Sequence, residues 1–285
     1  MALRAMMPSS LHSLSRRIYV RSGAATAAIR MEPSFMVIGA SRCGTTSLFA
    51  ALTAHPQVFR PTVNKGVNYF DLNYYRGPDW YRGHFPISQL ARRRASGAVS
   101  FEASGYYMFH PFALERLATD MPSTKLVAML RDPVERAYSA FKHETARGFE
   151  WESFERALDI EDERLIGEVE RMATDQTYES FAHRHQTYVH RGQYAEQLQR
   201  ARNLFPAKQI HVIESEDFFR EPAREYRRLL DFLELDPFEP GRFDKHNARP
   251  SSPMPQKVLE RLTAHFTPHD DHLAQMLGRR PAWES

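Results

Sequence analysis

Gly39-Ala40-Ser41-Arg42-Cys43-Gly44 has the glycine spacing of a loop that closes on an anion. A loop built for nucleoside triphosphates carries Lys directly after its second glycine. Here that position is Thr45, and the cation inside the loop is Arg42. Phosphate or sulfate held by Arg42 and by backbone N–H groups is the chemistry this pattern offers. The plainer reading is a Thr-capped helix after a chance pair of glycines. Farther along, Arg131 and Ser139 stand eight residues apart. An arginine and a hydroxyl aimed together suit a phosphate monoester, while Arg131 beside Asp132 also reads as a strand-end ion pair. Arg136, Ser139, His143 and Arg147 recur at helical spacing and share one face. That puts His143, whose imidazole ordinarily titrates near neutrality, about one turn beyond Ser139. A surface histidine is the alternative.

Positioning these side chains calls for strands that end where the loops begin. Phe35-Met36-Val37-Ile38 reads as a buried strand leading into the glycine loop, and Thr45 to Leu52 as the helix after it. Lys125 to Leu130 is a second such strand. It runs into Arg131-Asp132-Pro133, where Asp132 caps a helix, Pro133 fits its first turn and Glu135 completes a capping pattern. That helix is expected to reach about Arg147. Further strands are expected near Val58-Phe59, over Ala98 to Phe101 and over Ile210 to Ile213. Further helices are expected over Ser88 to Arg94, Phe109 to Ala118, Tyr194 to about Phe205, Glu225 to Leu233, Val258 to Phe266 and Asp271 to Leu277. The charged stretch 150–185 has apolar residues at helical spacing and reads as an amphipathic covering element without chemistry. Strand alternating with helix predicts an α/β fold: a P-loop-like, three-layer arrangement with a central parallel sheet flanked by helices. Strand ends near Ile38, Phe101, Leu130 and Ile213 would line one edge, where such sheets bind ligands.

The segments GASRCGTTSL and LRDPVERAYSAF, in that order, resemble the sulfotransferase superfamily that uses 3′-phosphoadenosine 5′-phosphosulfate (PAPS). The closer likeness is to its heparan-sulfate-type and bacterial carbohydrate branch, from about Phe35 to Trp283. The resemblance implies that Arg42, Cys43, Gly44, Thr45, Thr46 and Ser47 hold the 5′-phosphosulfate. It implies that Arg131 and Ser139 hold the 3′-phosphate. Tyr188 to Tyr194 resembles the family's Arg-Gly-x-Tyr segment, which adds Arg191 to the donor contacts. Those relatives usually read Lys-Glu-x-His-(Tyr/Phe)-Phe where this chain has Lys65-Gly66-Val67-Asn68-Tyr69-Phe70, and their Glu is the general base proposed for the acceptor. Ala103 stands where the heparan-type enzymes tend to have a lysine. With the Glu replaced by Gly66, the groups available as a base are His143, Glu102 and Asp71. His143 comes first, because it lies on the face of Ser139 and an imidazole suits a base at neutral pH, and an N-sulfotransferase relative has a functional histidine at the matching position; Glu102 also suits a structural role, holding a loop through backbone N–H groups. Lys245, Arg249 and Lys257 lie in the region where the family closes a basic loop over the nucleotide.

The resemblance implies a nucleotide sulfate donor as co-substrate, a hydroxyl or amine acceptor on a carbohydrate or small molecule, and no metal. Two other readings stay open: a non-catalytic nucleotide-binding relative with a degenerate acceptor site, and a P-loop kinase-like phosphotransferase. The composition sets the remaining bounds. A chain of 285 residues with 42% apolar content can bury a sizeable core, and its net charge of +3 is scattered, so no nucleic-acid partner is implied. The single cysteine, Cys43, excludes an internal disulfide. No apolar run approaches the ~18 residues of a membrane span. Residues 1–30 are rich in Arg, Ser and Ala without an acid, which fits a mitochondrial or plastid transit peptide, a basic tail or a start at Met31. The expected organisation is therefore an extension over 1–30 and one domain over 31–285, in the cytoplasm or, with a transit peptide, in an organelle.

Overall fold

The computed structural model describes residues 22–241, 243 and 253–284. Strands β1 (Pro33–Gly39), β2 (Val58–Phe59), β3 (Val99–Ala103), β4 (Lys125–Leu130) and β5 (Ile210–Glu214) form a five-stranded sheet in the order β2-β3-β1-β4-β5. Every pairing is parallel, with Phe35 opposite Phe101, Val37 opposite Val127 and Ala128 opposite Val212. Both faces of the sheet are covered. This explains the uninterrupted apolar runs, since a strand buried on two sides has no reason to alternate. Leu126 to Leu130 are fully buried, and each large apolar side chain so placed contributes about 1.5–3 kcal/mol.

The helices that bear on the site are α1 (Thr45–Ala54), α2 (Ser88–Arg94), α3 (Ala113–Asp120), α4 (Pro133–Ala146), α5 (Phe181–His185), α6 (Tyr194–Leu204), α7 (Pro222–Leu233) and α8 (Gln256–Leu277). With them the molecule is a three-layer α/β fold. Helix α6 packs on α3 and α8, and α8 on α4. Helices α1 and α7 meet where Tyr226 donates to the Ala51 carbonyl at 3.1 Å. A smaller apolar cluster, with Val134, Ala137, Phe154, Tyr188, Leu262 and Phe266, fixes α4 against α8. Because the chain crosses from β3 to β4 on the other side of β1, the loops after β1 and β4 meet at the turning point of the strand order, the usual ligand crevice.

Three expectations need correction. The C-terminal pair of short helices is one helix, α8, running through Pro268. A proline inside a helix costs about 3 kcal/mol, but the buried face of Val258, Leu262, Phe266 and Leu273 continues across it and holds the helix together. Residues 22–30 are not outside the fold. Ala27 is buried, Arg30 Nη1 donates to the Phe85 carbonyl at 2.5 Å and Arg30 bridges Ile87, so the packed chain extends upstream of residue 31. Residues 1–21, Lys245 and Arg249 lie outside the described residues, and Lys257 is in the first turn of α8. The stretch 150–185 does cover the fold with short helices, yet its end, Arg184 and His185, lines the cavity described next.

Candidate active site

The β1–α1 loop is held from several sides. Ala40 N–H donates to the Met129 carbonyl at 2.7 Å, and Ser41 Oγ donates to the Gly105 carbonyl at 3.0 Å. Gly44 takes φ 89° and Arg42 takes φ 72°, both left-handed. A Cβ at Gly44 would also lie 3.0 Å from Met129 and from the Phe219 ring, so both conformation and space require glycine. The turn delivers Thr45 and Thr46 to the start of α1, where the first N–H groups of a helix have no partner within it. Cys43 is fully buried under the loop. Its N–H closes the turn on the Ala40 carbonyl at 3.3 Å and its Sγ lies 3.6 Å from Tyr194 Oη, so its side chain faces the core and not a ligand. Burial pushes the Cys43 thiol up to about 11.

The second motif begins at the end of β4. Asp132 caps α4 by accepting from Val134 N–H at 2.8 Å, and Arg131 pairs with Glu135 at 3.2 Å. Tyr194 Oη donates to the Arg131 carbonyl at 2.9 Å and so ties this corner to α6. Two turns into α4, Ser139 Oγ accepts from Arg42 Nε at 3.2 Å. The two sequence motifs are therefore one site. Arg136, on the same face, is fully buried. Its Nη2 donates to the Tyr188 carbonyl, and its Nε and Nη1 have no hydrogen-bond partner among the described residues.

A cavity of about 290 Å³ opens beside the loop. Ser41, Arg42 and Thr45 line it from the loop, and Arg136, His143, Glu144 and Arg147 from α4. Lys65 and Arg191 face it as well, so cations far outnumber carboxylates. Glu144 accepts from His185 Nδ1 at 3.0 Å and lies 4.0 Å from His143 Nε2. Burial works to raise the Glu144 pKa, but the hydrogen bond and charge of His185 hold it below the ordinary carboxylate value. Arg191 Nη2 donates to the carbonyls of His183 at 2.8 Å and Arg184 at 2.6 Å. The Arg191 guanidinium lies 4.9 Å from the Tyr106 ring, and burial lowers its pKa to about 10. It shapes the cavity wall as well as facing it.

Lys65 is the residue the sequence underrated, as one shared position in a departing motif. Its Nζ donates to Thr45 Oγ1 at 3.0 Å and to Thr46 Oγ1 at 3.4 Å, and burial lowers its pKa to about 8. At the next residue, a Cβ on Gly66 would stand 2.6 Å from both the Ala103 carbonyl oxygen and Ser104 Oγ. The place of the relatives' Glu is thus closed by the end of β3. Asn68 follows with φ 54°.

Of the proposed bases, His143 alone faces the cavity. Glu102 is fully buried and accepts from Val67 N–H at 2.7 Å, Tyr107 Oη at 2.6 Å and Tyr81 Oη at 3.2 Å. Its burial raises its pKa against those hydrogen bonds. This carboxylate anchors the Lys65–Phe70 loop, so the expectation that it serves as a base is corrected. Asp71 is also buried. Its Oδ1 accepts from Leu72 N–H at 2.7 Å, its Oδ2 has no hydrogen-bond partner among the described residues, and burial raises its pKa to about 7. Among the remaining residues expected to hold the donor, Thr46 reaches the cavity's edge through Lys65, Ser47 is buried in the first turn of α1, and Arg131 stands at the sheet edge outside the cavity lining. Among the described residues, no group of three or more His, Cys, Asp or Glu is placed to hold a metal ion, and no helix is long and apolar enough to cross a membrane.

Comparison with known proteins gives the family. The sulfotransferase domain family matches residues 32–257. A sulfotransferase from Alicyclobacillus acidocaldarius has the same fold with a TM-score of 0.70 and 30% identity, covering 89% of this chain and 99% of that one. The membrane-associated sulfotransferase kil1 of Dictyostelium discoideum is 27% identical, over 89% of this chain and 67% of that protein. The human bifunctional heparan sulfate N-deacetylase/N-sulfotransferase 2 is 28% identical over 72% of this chain, which spans only 22% of that protein's length. The chain belongs to the sulfotransferase domain family and is an enzyme of its PAPS-dependent kind.

Proposed function

We propose that the protein moves the sulfuryl group of PAPS to a hydroxyl or amine on a carbohydrate or small-molecule acceptor and releases adenosine 3′,5′-bisphosphate. The observation that carries this reading is the Arg42 Nε to Ser139 Oγ hydrogen bond at 3.2 Å on the rim of a cation-lined cavity. It joins a site for the phosphosulfate to a site for the 3′-phosphate. Arg131 and Ser139 hold the 3′-phosphate, and Arg42 with the first N–H groups of α1 faces the 5′ end. In-line attack puts negative charge on the bridging and sulfuryl oxygens, which Arg42 and the start of the helix stabilise because they are already oriented. His143 takes the acceptor's proton: of the two imidazoles that line the cavity, His143 and His185, it is the one on α4, about a turn beyond Ser139.

Incubation with labelled PAPS and a metabolite extract, followed by mass spectrometry, tests the proposal. The expected result is one or more products heavier by one sulfuryl group, formed without added Mg²⁺. Tight binding of adenosine 3′,5′-bisphosphate with no sulfated product from any fraction would overturn it in favour of a non-catalytic nucleotide-binding protein.

A further inference from the structure

We infer that Lys65 is a further catalytic residue, which contacts the sulfuryl oxygens of the donor from outside the Gly39–Gly44 loop. This rests on the PAPS reading above. The position after Gly44 is a threonine and cannot carry charge. The Lys65 ammonium stands over that threonine instead, 3.0 Å from Thr45 Oγ1 and 3.4 Å from Thr46 Oγ1. It also faces the cavity that Arg42 and His143 line.

Its location runs against its own electrostatics. A cation at the start of a helix opposes the helix dipole, and Arg42 is already there. Such a lysine gains from its position only when an anion sits between it and the helix. The chain around it is nonetheless built to keep it in place. The Lys65 carbonyl accepts from Ala103 N–H at 3.2 Å, and Glu102 holds the N–H of Val67 at 2.7 Å. Gly66 is packed too closely on Ala103 and Ser104 for the loop to shift toward β3. Ala103, the β3 residue beside it, brings no charge of its own. A buried carboxylate and a close-packed glycine thus present one ammonium group to the phosphosulfate position.

In the step this implies, the acceptor's oxygen or nitrogen forms a bond to sulfur. The bond from sulfur to the bridging oxygen breaks, and its electron pair stays on the departing bisphosphate. The acceptor's proton goes to His143. Lys65 keeps its proton and donates hydrogen bonds to the sulfuryl oxygens, which share the negative charge of the in-line transition state.

The sulfuryl group is the difference between PAPS and adenosine 3′,5′-bisphosphate, so calorimetry with both ligands isolates this contact. In Lys65→Met the affinity for PAPS should fall roughly tenfold or more, the scale of a lost charge-assisted hydrogen bond. Affinity for the bisphosphate should stay within about threefold, and Lys65→Arg should regain part of the loss. An unchanged preference for PAPS over the bisphosphate in Lys65→Met overturns the inference. So does an equal loss for both ligands, which would make Lys65 a phosphate anchor and leave the PAPS reading intact. If the wild-type protein binds neither ligand, the PAPS reading itself fails. Should Lys65→Met not fold by thermal melt, Lys65→Gln against Lys65→Arg gives the same comparison.

Discussion

Arg42 and Ser139, 97 residues apart in the chain, are joined by a 3.2 Å hydrogen bond from Nε to Oγ. The bond fixes the left-handed turn at Arg42 against helix α4 and so joins the β1–α1 loop to that helix. Arg42 thus belongs to both motifs. Its charge counts most where the bridging oxygen becomes negative, so Arg42→Ala is expected to lower turnover far more than nucleotide affinity. Parallel measurement of kcat and of bisphosphate binding decides; equal losses would make Arg42 an anchor only.

Arg131→Ala and Ser139→Ala should each weaken recognition of the 3′-phosphate by roughly 1.5–3 kcal/mol, the usual loss for a hydrogen bond to a charged group. Calorimetry with adenosine 3′,5′-bisphosphate against the 5′-monophosphate measures this directly. Both mutants should lose the preference for the bisphosphate and bind the monophosphate as the wild type does. A wild-type preference in both would place the 3′-phosphate elsewhere.

His143→Ala is expected to reduce kcat about 10²-fold or more with hydroxyl acceptors, as general-base loss does, and to leave bisphosphate binding unchanged. An amine acceptor with a free lone pair should be affected less. Full activity with a hydroxyl acceptor would remove His143 from the mechanism.

Restoring the relatives' carboxylate should fail. A Cβ at Gly66 meets the Ala103 carbonyl oxygen and Ser104 Oγ at 2.6 Å, so backbone must move before any larger side chain fits. Gly66→Glu and Gly66→Ala should both lose roughly 1–3 kcal/mol of stability, the cost of overpacking. Neither should raise turnover. Thermal melts and steady-state rates check this, and a faster, equally stable Gly66→Glu enzyme would contradict it.

Asp71 gives the protein a measurable pH dependence. Burial raises its pKa to about 7, so the folded state holds this proton more tightly than the unfolded chain. Its contribution to stability is fully present below the ordinary aspartate pKa and is lost as pH rises through about 7. Asp71→Asn should flatten the melting temperature between about pH 4 and 7 and melt higher than wild type at pH 8. Asp270, also raised to about 7 by burial, keeps a share of the slope in that mutant. An unchanged slope in Asp71→Asn would mean that Asp71 does not titrate in this range.

The sheet was legible because strands buried on both faces leave apolar runs that nothing else in the chain imitates. The conformations of the β1–α1 and β4–α4 loops were legible because Gly44 and the Asp132-Pro133 cap have local backbone reasons to be what they are. Lys65 was not legible as a contact to Thr45, since a distance of 20 residues is closed only by the pinning of its loop to β3. The structural role of Glu102 was one of two readings the sequence offered, and the structure selects it: its donors come from Val67, Tyr81 and Tyr107, partners that no local pattern names. The two C-terminal helices were read as separate because the link between them is set by the apolar face of α8, which continues through Pro268. The end of the 150–185 stretch was read as covering because its amphipathic spacing says which side is buried, not that Arg184 and His185 reach a cavity.

Cys43, sealed beneath the loop with its thiol raised to about 11, has a practical consequence. Alkylating reagents and oxidants act on exposed thiolates, and this sulfur is neither exposed nor ionised at neutral pH. A cysteine engineered at an exposed surface position would therefore react first and nearly alone. The protein is in effect a ready background for single-site fluorescent or spin labelling, with no need to replace the native residue in so tightly built a turn.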